Sequence, residues 1–160
     1  MISHVNAQAN DIDSSKRISF STGIYLENYD VTIPWDLQIH DVRKYGKPKI
    51  DTLSKRKWLV SWDSVKILNG ITVNLKCHAS KGLFGTDKYS KMDVIIAEID
   101  PRDFDKIQYL LAKYATTGYA GTDKKNVCHY FLDNCYIILS GNYKHFANRI
   151  YIQRGVRRDK

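Results

Sequence analysis

Cysteine is scarce in this chain, and complete functional motifs are absent. Cys77, Cys128 and Cys135 are the only three cysteines in 160 residues. An odd number with no secretion signal ahead of it excludes a disulfide framework as the source of stability. The opening "MISHVNAQANDIDSS" has neither the basic start nor the apolar core of a signal peptide. The longest apolar runs, "VIIA" and "YIIL", fall far short of the ~20 residues that a bilayer-spanning helix needs. The expectation is a soluble protein of a reducing compartment, cytoplasmic or otherwise intracellular, with no membrane contact. No internal repeat, low-complexity tract or interdomain linker interrupts the chain. "KGLFGTDKYSK" holds two glycines but no Gly-Lys-Ser or Gly-Lys-Thr follows, so it is not a phosphate loop. There is no RNP sequence, no Gly-x-x-Gly clamp and no zinc-finger spacing.

What is present is an ordinary globular composition with an uneven charge. A chain of 160 residues that is 43% hydrophobic is long enough to bury its own core as one domain. The expected division is a flexible N-terminal arm over 1–15, one α+β domain over 16–153 and a basic tail over 154–160. Eleven tyrosines stand against five phenylalanines, and tyrosine suits half-exposed positions where an apolar ring carries a polar edge. The net charge is +8, and its placement matters more than its size. Residues 43–57 carry +6 and residues 149–160 carry +4. The other 133 residues carry −2. Two basic segments on a nearly neutral body point to an acidic partner.

Local patterns define the elements. "RISFSTGIYL" alternates as a strand with Gly23 as a bulge, and "YDVTIPW" reads as a second strand stopped by Pro34. Residues 36–56 lack clear periodicity and read as a long loop with one short ordered piece. Asn69-Gly70 between β-branched runs supplies the positive φ angles of a type I′ hairpin, with strands near 57–68 and 71–79. "SKGLFGTDKYSK" then forms a loop. "MDVIIAEID" is apolar on both faces through its centre, as in a sheet with both sides at least partly covered. Asp100 as N-cap, Pro101 at the first helical position and Asp103 near the positive dipole end start a helix over about 101–115. Its apolar stripe is Phe104, Ile107, Leu111 and Tyr114. "TTGYAGTDKK" is a flexible connection. Strands follow near 127–132, 135–140 and 148–153, with turns at Asp133-Asn134 and Gly141-Asn142. The fold class expected is α+β: one mainly antiparallel sheet, an Asn-Gly hairpin and at least one packed helix.

Two sets of residues suggest chemistry. The first is a cationic, aromatic-flanked segment: Arg43, Lys44, Tyr45, Lys47, Lys49, Lys55, Arg56, Lys57, Trp58 and, farther on, Trp62. Lys and Arg neutralise phosphates, and aromatic faces stack on unpaired bases. Arg154, Arg157 and Arg158 of the tail would extend such a contact. The leading expectation is therefore a nucleic-acid-binding protein, on DNA or RNA, with no catalysis of its own and no cofactor. The second set is Lys76 and His78, on one face of a strand, with Glu98 and Asp100 on one face of another. Should those strands be neighbours, the four residues form the inventory of a Mg²⁺-dependent nuclease or another nucleotide-acting enzyme. A third possibility is an interaction module or inhibitor, whose basic segment meets an acidic protein partner and whose exposed aromatics act as hot spots. Cys128-His129, Cys135 and His145, with Cys77 and His78, match no standard zinc spacing. In a strand Cys128 and His129 point to opposite faces, so no metal site is expected there.

Overall fold

Period-two alternation of apolar and polar residues builds most of the molecule. The computed structural model describes residues 18–54, 57–80, 92–114, 121–122, 127–141 and 148–154. They form an α+β fold in which a short helix packs on a mostly antiparallel sheet. Ten strands are described: β1 (Gly23–Leu26), β2 (Val31–Pro34), β3 (Lys49–Ser54), β4 (Lys57–Ile67), β5 (Ile71–Ser80), β6 (Met92–Ile99), β7 (Gly121–Thr122), β8 (Val127–Leu132), β9 (Cys135–Ser140) and β10 (Arg149–Arg154). β1 and β2 pair only with each other. The other eight lie side by side in the order β3-β4-β5-β6-β10-β9-β8-β7, each antiparallel to its neighbours. Two meanders, one on each side of the β6–β10 contact, thus share one sheet.

The register sends one residue set of every strand inward. Val60 and Trp62 of β4, Val73, Leu75 and Cys77 of β5, and Ile95, Ala97 and Ile99 of β6 are buried. So are Cys128 and Tyr130 of β8, Ile137 and Leu139 of β9, and Ile150 and Ile152 of β10. The described elements that cover this face are the β1–β2 hairpin, a 3₁₀ turn at Ile39–Lys44 and the helix α1 (Phe104–Tyr114). Ile24, Leu26, Ile33, Ile39 and Val42 enter the core from the first two, and Ile107 and Leu111 from the third. On the helix, Gln108 Nε2 lies 3.4 Å from Cys128 Sγ, which fixes α1 over β8. A Cβ on Gly141 would fall 2.5 Å from the Phe104 ring. A side chain there would push the start of α1 off the sheet.

Several expectations meet their structural counterparts. β8 and β9 have the expected bounds, and β10 is displaced by one residue. Leu132 pairs with Cys135, so Asp133 and Asn134 form a two-residue turn, both with positive φ (51° and 63°). The helix begins as expected: the Asp100 carboxylate accepts the Arg102 amide, Pro101 follows, and a 3₁₀ turn at Pro101–Asp103 leads into α1. β6 has both sides at least partly covered, as expected: Ile95, Ala97 and Ile99 are buried, and Val94, Ile96 and Glu98 are half-buried.

Other expectations are corrected. Ile67 pairs with Ile71, so the β4–β5 connection is three residues, not a two-residue type I′ turn. Leu68, Asn69 and Gly70 all have positive φ, and Glu27 Oε1 accepts the Asn69 and Gly70 amides at 2.6 and 3.0 Å. The first strand starts only at Gly23, because the Phe20 amide and the Ser19 hydroxyl are bonded to the Asp133 carboxylate instead of to a strand. Residues 36–56 are not a long loop, since they hold the 3₁₀ turn and the edge strand β3. The connection after α1 contains the two-residue β7, opposite Cys128 and His129. The arm 1–15, most of the loop after Ser80, Asn142 and the tail beyond Arg154 lie outside the described residues. Among the described residues no helix is long and apolar enough to cross a membrane.

Candidate functional site

Where the strands end decides where the basic stretches of chain attach. Ser54 lies opposite Lys57, Lys57 opposite Ser80, and Ala79 opposite Met92. Across the sheet, Arg154 lies opposite Cys135, which in turn lies opposite Leu132. β3 ends, β4 begins, β5 ends, β6 begins and β10 ends at the same end of the sheet. Among the stretches of chain that attach to that end are 55–57, 81–91, 133–134 and 154–160, of which Lys57, Asp133, Asn134 and Arg154 are described. Together they hold ten of the 25 Lys and Arg residues against three acids, Asp87, Asp133 and Asp159. That is +7 of the total +8. The last part of the first basic segment and the start of the second, nearly 100 residues apart in sequence, attach to one end of the same sheet. Lys57 and Arg154 are both exposed and stand three strand spacings apart, about 14 Å.

The same topology divides the segment 43–57. Arg43, Lys44, Tyr45 and Lys47 precede β3, whereas Lys55, Arg56 and Lys57 follow it. Six residues of extended chain separate the two groups, roughly 17 Å. The leading group is also partly compensated. Lys44 Nζ lies 2.5 Å from Asp41 and Lys49 Nζ 2.5 Å from Asp63. Hydrogen bonds to these carboxylates hold both ammonium groups above the usual lysine range. Among the described residues Arg43, Lys47 and Lys57 pair with no acid. Lys55, Arg56, Arg157 and Arg158 lie outside the described residues.

The aromatics of that segment do not form a free stacking surface. Trp62 is 1% exposed and its indole N–H donates to the Tyr45 carbonyl at 2.6 Å. Tyr45 and Trp58 are half-buried against the core, and Trp58 stands on the covered side of β4 opposite Ala79.

On the opposite face of the sheet the two nominated strands are indeed neighbours. Asn74 of β5 faces Glu98 of β6, and Lys76 sits diagonally from it. Lys76 Nζ reaches Glu98 Oε1 at 2.7 Å. Arg149, directly across from Glu98 on β10, approaches the same oxygen at 3.7 Å and donates to the Tyr151 hydroxyl at 3.4 Å. His78 is on the same face, half-buried. Asp100 is not part of the group: Arg102 takes both of its oxygens. Those bonds hold its carboxyl at about 2, well below the usual range. One carboxylate thus remains, neutralised by two cations. Among the described residues no three His, Cys, Asp or Glu side chains come together as a metal site.

Sequence reasoning missed a second aromatic group. Phe131 of β8 stands opposite Tyr136 of β9, with ring centroids 5.1 Å apart and a 36° tilt. His129, two residues back on the same face, stacks on Tyr136 at 5.8 Å and 19°, and its Nδ1 is 2.6 Å from the Tyr136 hydroxyl. Phe131 is 46% exposed. The sign was available in "HYFLDNCY": a two-residue turn at Asp133-Asn134 forces Phe131 and Tyr136 into register on one face. Tyr136 lies opposite Gln153, so this group stands at the same end of the sheet as Arg154, which pairs with buried Cys135 and alternates to the other face.

Comparison with known protein families, curated proteins and solved structures finds no match.

Proposed function

We propose that the protein binds nucleic acid, with the basic end of the eight-stranded sheet as the contact surface. The observation that supports this reading is that the exposed Lys57 and Arg154 stand at one sheet end, to which connections whose sequences sum to +7 attach. Phosphates are the partners that such a surface attracts most strongly, because neutralising them releases condensed counterions. Lys57 and Arg154, with Lys55, Arg56, Arg157 and Arg158 beside them in the chain, make the main contacts. Arg43 and Lys47 lie farther along the edge and contribute less. Contacts of this kind position a strand and give affinity with little choice of sequence. Cys77, Cys128 and Cys135 are buried thiols outside any disulfide, which suits the reducing, intracellular compartment that this reading implies.

Catalysis is not part of the proposal. Lys76, His78 and Glu98 share a face, but Glu98 is bound to Lys76 and Arg149, and Asp100 caps a helix. This group offers a Mg²⁺-dependent reaction one carboxylate among the described residues, Glu98. The alternative with an observation in its favour is a protein partner. Leu59, Val94, Ile96, Ile138 and Tyr151 are half-exposed on the sheet face opposite the covered one, and a partner carrying acids and apolar side chains could use both that face and the basic end. The test is fluorescence anisotropy with labelled DNA and RNA over a salt series. Binding that weakens steeply with salt is expected. Flat traces at low salt for every probe would refute nucleic-acid binding and leave the protein partner.

A further inference from the structure

We infer that the basic end takes single-stranded nucleic acid, and that unpaired bases stack on the aromatic group His129–Tyr136–Phe131. This deepens the proposed function and rests on it. A polyanion surface alone does not distinguish one strand from two. Three rings on one sheet face do, because only an unpaired base can lay its face on them.

The argument begins with Phe131. An isolated exposed Phe means little, but this one is 46% exposed beside two further rings. It is open for a topological reason. β7 is two residues long and pairs only with Cys128 and His129, so among the described residues no strand flanks Phe131 on its outer side. Tyr136 is held from behind: its hydroxyl is bonded to His129 Nδ1 and its ring is set between His129 and Phe131. The rings are thus ordered before any base arrives, which lowers the entropy cost of stacking.

Charge is found at the same end of the sheet, with Arg154 alternating to the other face from the rings. Tyr136 is opposite Gln153, and the exposed Arg154 follows it in the chain. Arg157 and Arg158 come within four residues of that point. A base stacked on the open side of Phe131 lies at the same end of the sheet as the exposed Lys57 and Arg154. The next bases continue toward His78 and Lys57, which lie on the same sheet face and at the same end as Tyr136. A cross-strand aromatic pair can also serve only to steady a hairpin. The experiment separates the two roles.

The full chain and its Phe131→Ala and Phe131→Tyr variants are titrated against four labelled probes: a short DNA single strand, the same sequence as RNA, its DNA duplex, and an abasic single strand with the sugar–phosphate backbone alone. The wild type is expected to prefer either single strand to the duplex. Phe131→Ala should lose about tenfold on the base-bearing strands, the size of one lost stacking contact. Its salt dependence and its affinity for the abasic strand should not change, and Phe131→Tyr should keep wild-type affinity. DNA against RNA tells which strand is preferred. Wild-type affinity for every probe in Phe131→Ala, with only the melting temperature lowered, would overturn the inference: the rings then serve the hairpin while the proposed function stands. Equal affinity for duplex and single strand would overturn it as well. No binding of wild-type protein to any probe would remove the proposed function and the inference together.

Discussion

Asp133 and Phe20 are joined by a 2.8 Å hydrogen bond from the Phe20 amide to the Asp133 carboxylate, across 113 positions of chain. The same oxygen accepts the Ser19 hydroxyl at 2.9 Å. This carboxylate fixes the entry of the first described segment against the β8–β9 turn. It is also the one acid among the described residues of the connections that attach to the basic end. Asp133 has φ of 51°, a conformation that Asn and Asp tolerate and Ala resists.

Two variants separate these roles. Asp133→Ala leaves the Phe20 N–H without its acceptor and strains the turn. It should destabilise by about 1–3 kcal/mol, read as a lower urea midpoint. Asp133→Asn keeps an acceptor oxygen and the turn, so it should cost less than about 1 kcal/mol. Because it removes a negative charge from the contact surface, Asp133→Asn should also bind nucleic acid more tightly than wild type. Weaker binding by a folded Asp133→Asn protein would place the contact elsewhere.

The β4–β5 turn offers a test of the N-terminal hairpin's anchoring. Glu27→Ala removes the acceptor for two turn amides and should cost about 1 kcal/mol, since the freed N–H groups can turn to water. Gly70 has φ of +88° and no atom near the site of an added Cβ. Gly70→Ala should therefore cost only the conformational penalty, about 1–2 kcal/mol. Denaturation of both variants with an unchanged m-value would confirm that the native fold is retained. A Gly70→Ala protein as stable as wild type would contradict the left-handed geometry of the turn.

The start of α1 should depend on pH in a defined direction. The Asp100 carboxyl is lowered to about 2 by its bonds to Arg102, below its unfolded value near 3.9. A depressed carboxylate adds stability that is complete above the unfolded value and is lost as pH falls through the folded one. Asp100→Asn should therefore melt below wild type at neutral pH. The gap should close as pH drops from about 4 toward 2. A gap that stays constant over that range would mean that the charged cap is not the source of the difference.

Glu98 tests the catalytic alternative. Glu98→Gln frees Lys76 and Arg149 from their shared partner on a half-exposed face, at a cost of about 0.5–1 kcal/mol. Glu98 lies opposite Arg149, at the far end of β10 from Arg154, roughly 17 Å away. That exceeds the screening length at physiological salt, so affinity for nucleic acid should change by less than about twofold. Magnesium-dependent degradation of a probe by wild-type protein, abolished in Glu98→Gln, would restore the nuclease reading.

What could be read from the chain was local. The Asp100–Pro101 cap, the Asp133-Asn134 turn and the alternation of β8, β9 and β10 each depend on residues close in sequence, and each is found where those residues put it. β3 was not legible. Lys49 and Asp51 make it look like a solvated loop, and only its edge pairing with β4 makes it a strand. The start at "RISF" failed for a related reason, since Asp133, more than 100 residues away, takes the bonds that a strand would have used. The clustering of Lys76 with Glu98 was conditional on strand order, and the order met that condition. The gathering of charge at one sheet end, and the exposed Phe131, depend on how all eight strands are ordered, which no local pattern encodes.

The most direct measurement compares two triple variants that remove the same charge from different places. Lys55→Ala/Arg56→Ala/Lys57→Ala alters the basic end, and Arg43→Ala/Lys44→Ala/Lys47→Ala alters the edge before β3. Each is titrated with single-stranded probe over a salt series. The account predicts that the first variant loses most of its affinity and that its slope of log K against log salt flattens by about 2, the release expected for three phosphate contacts. The second should stay close to wild type. Equal losses in both variants would show a response to net charge alone and contradict a contact surface at the end of the sheet.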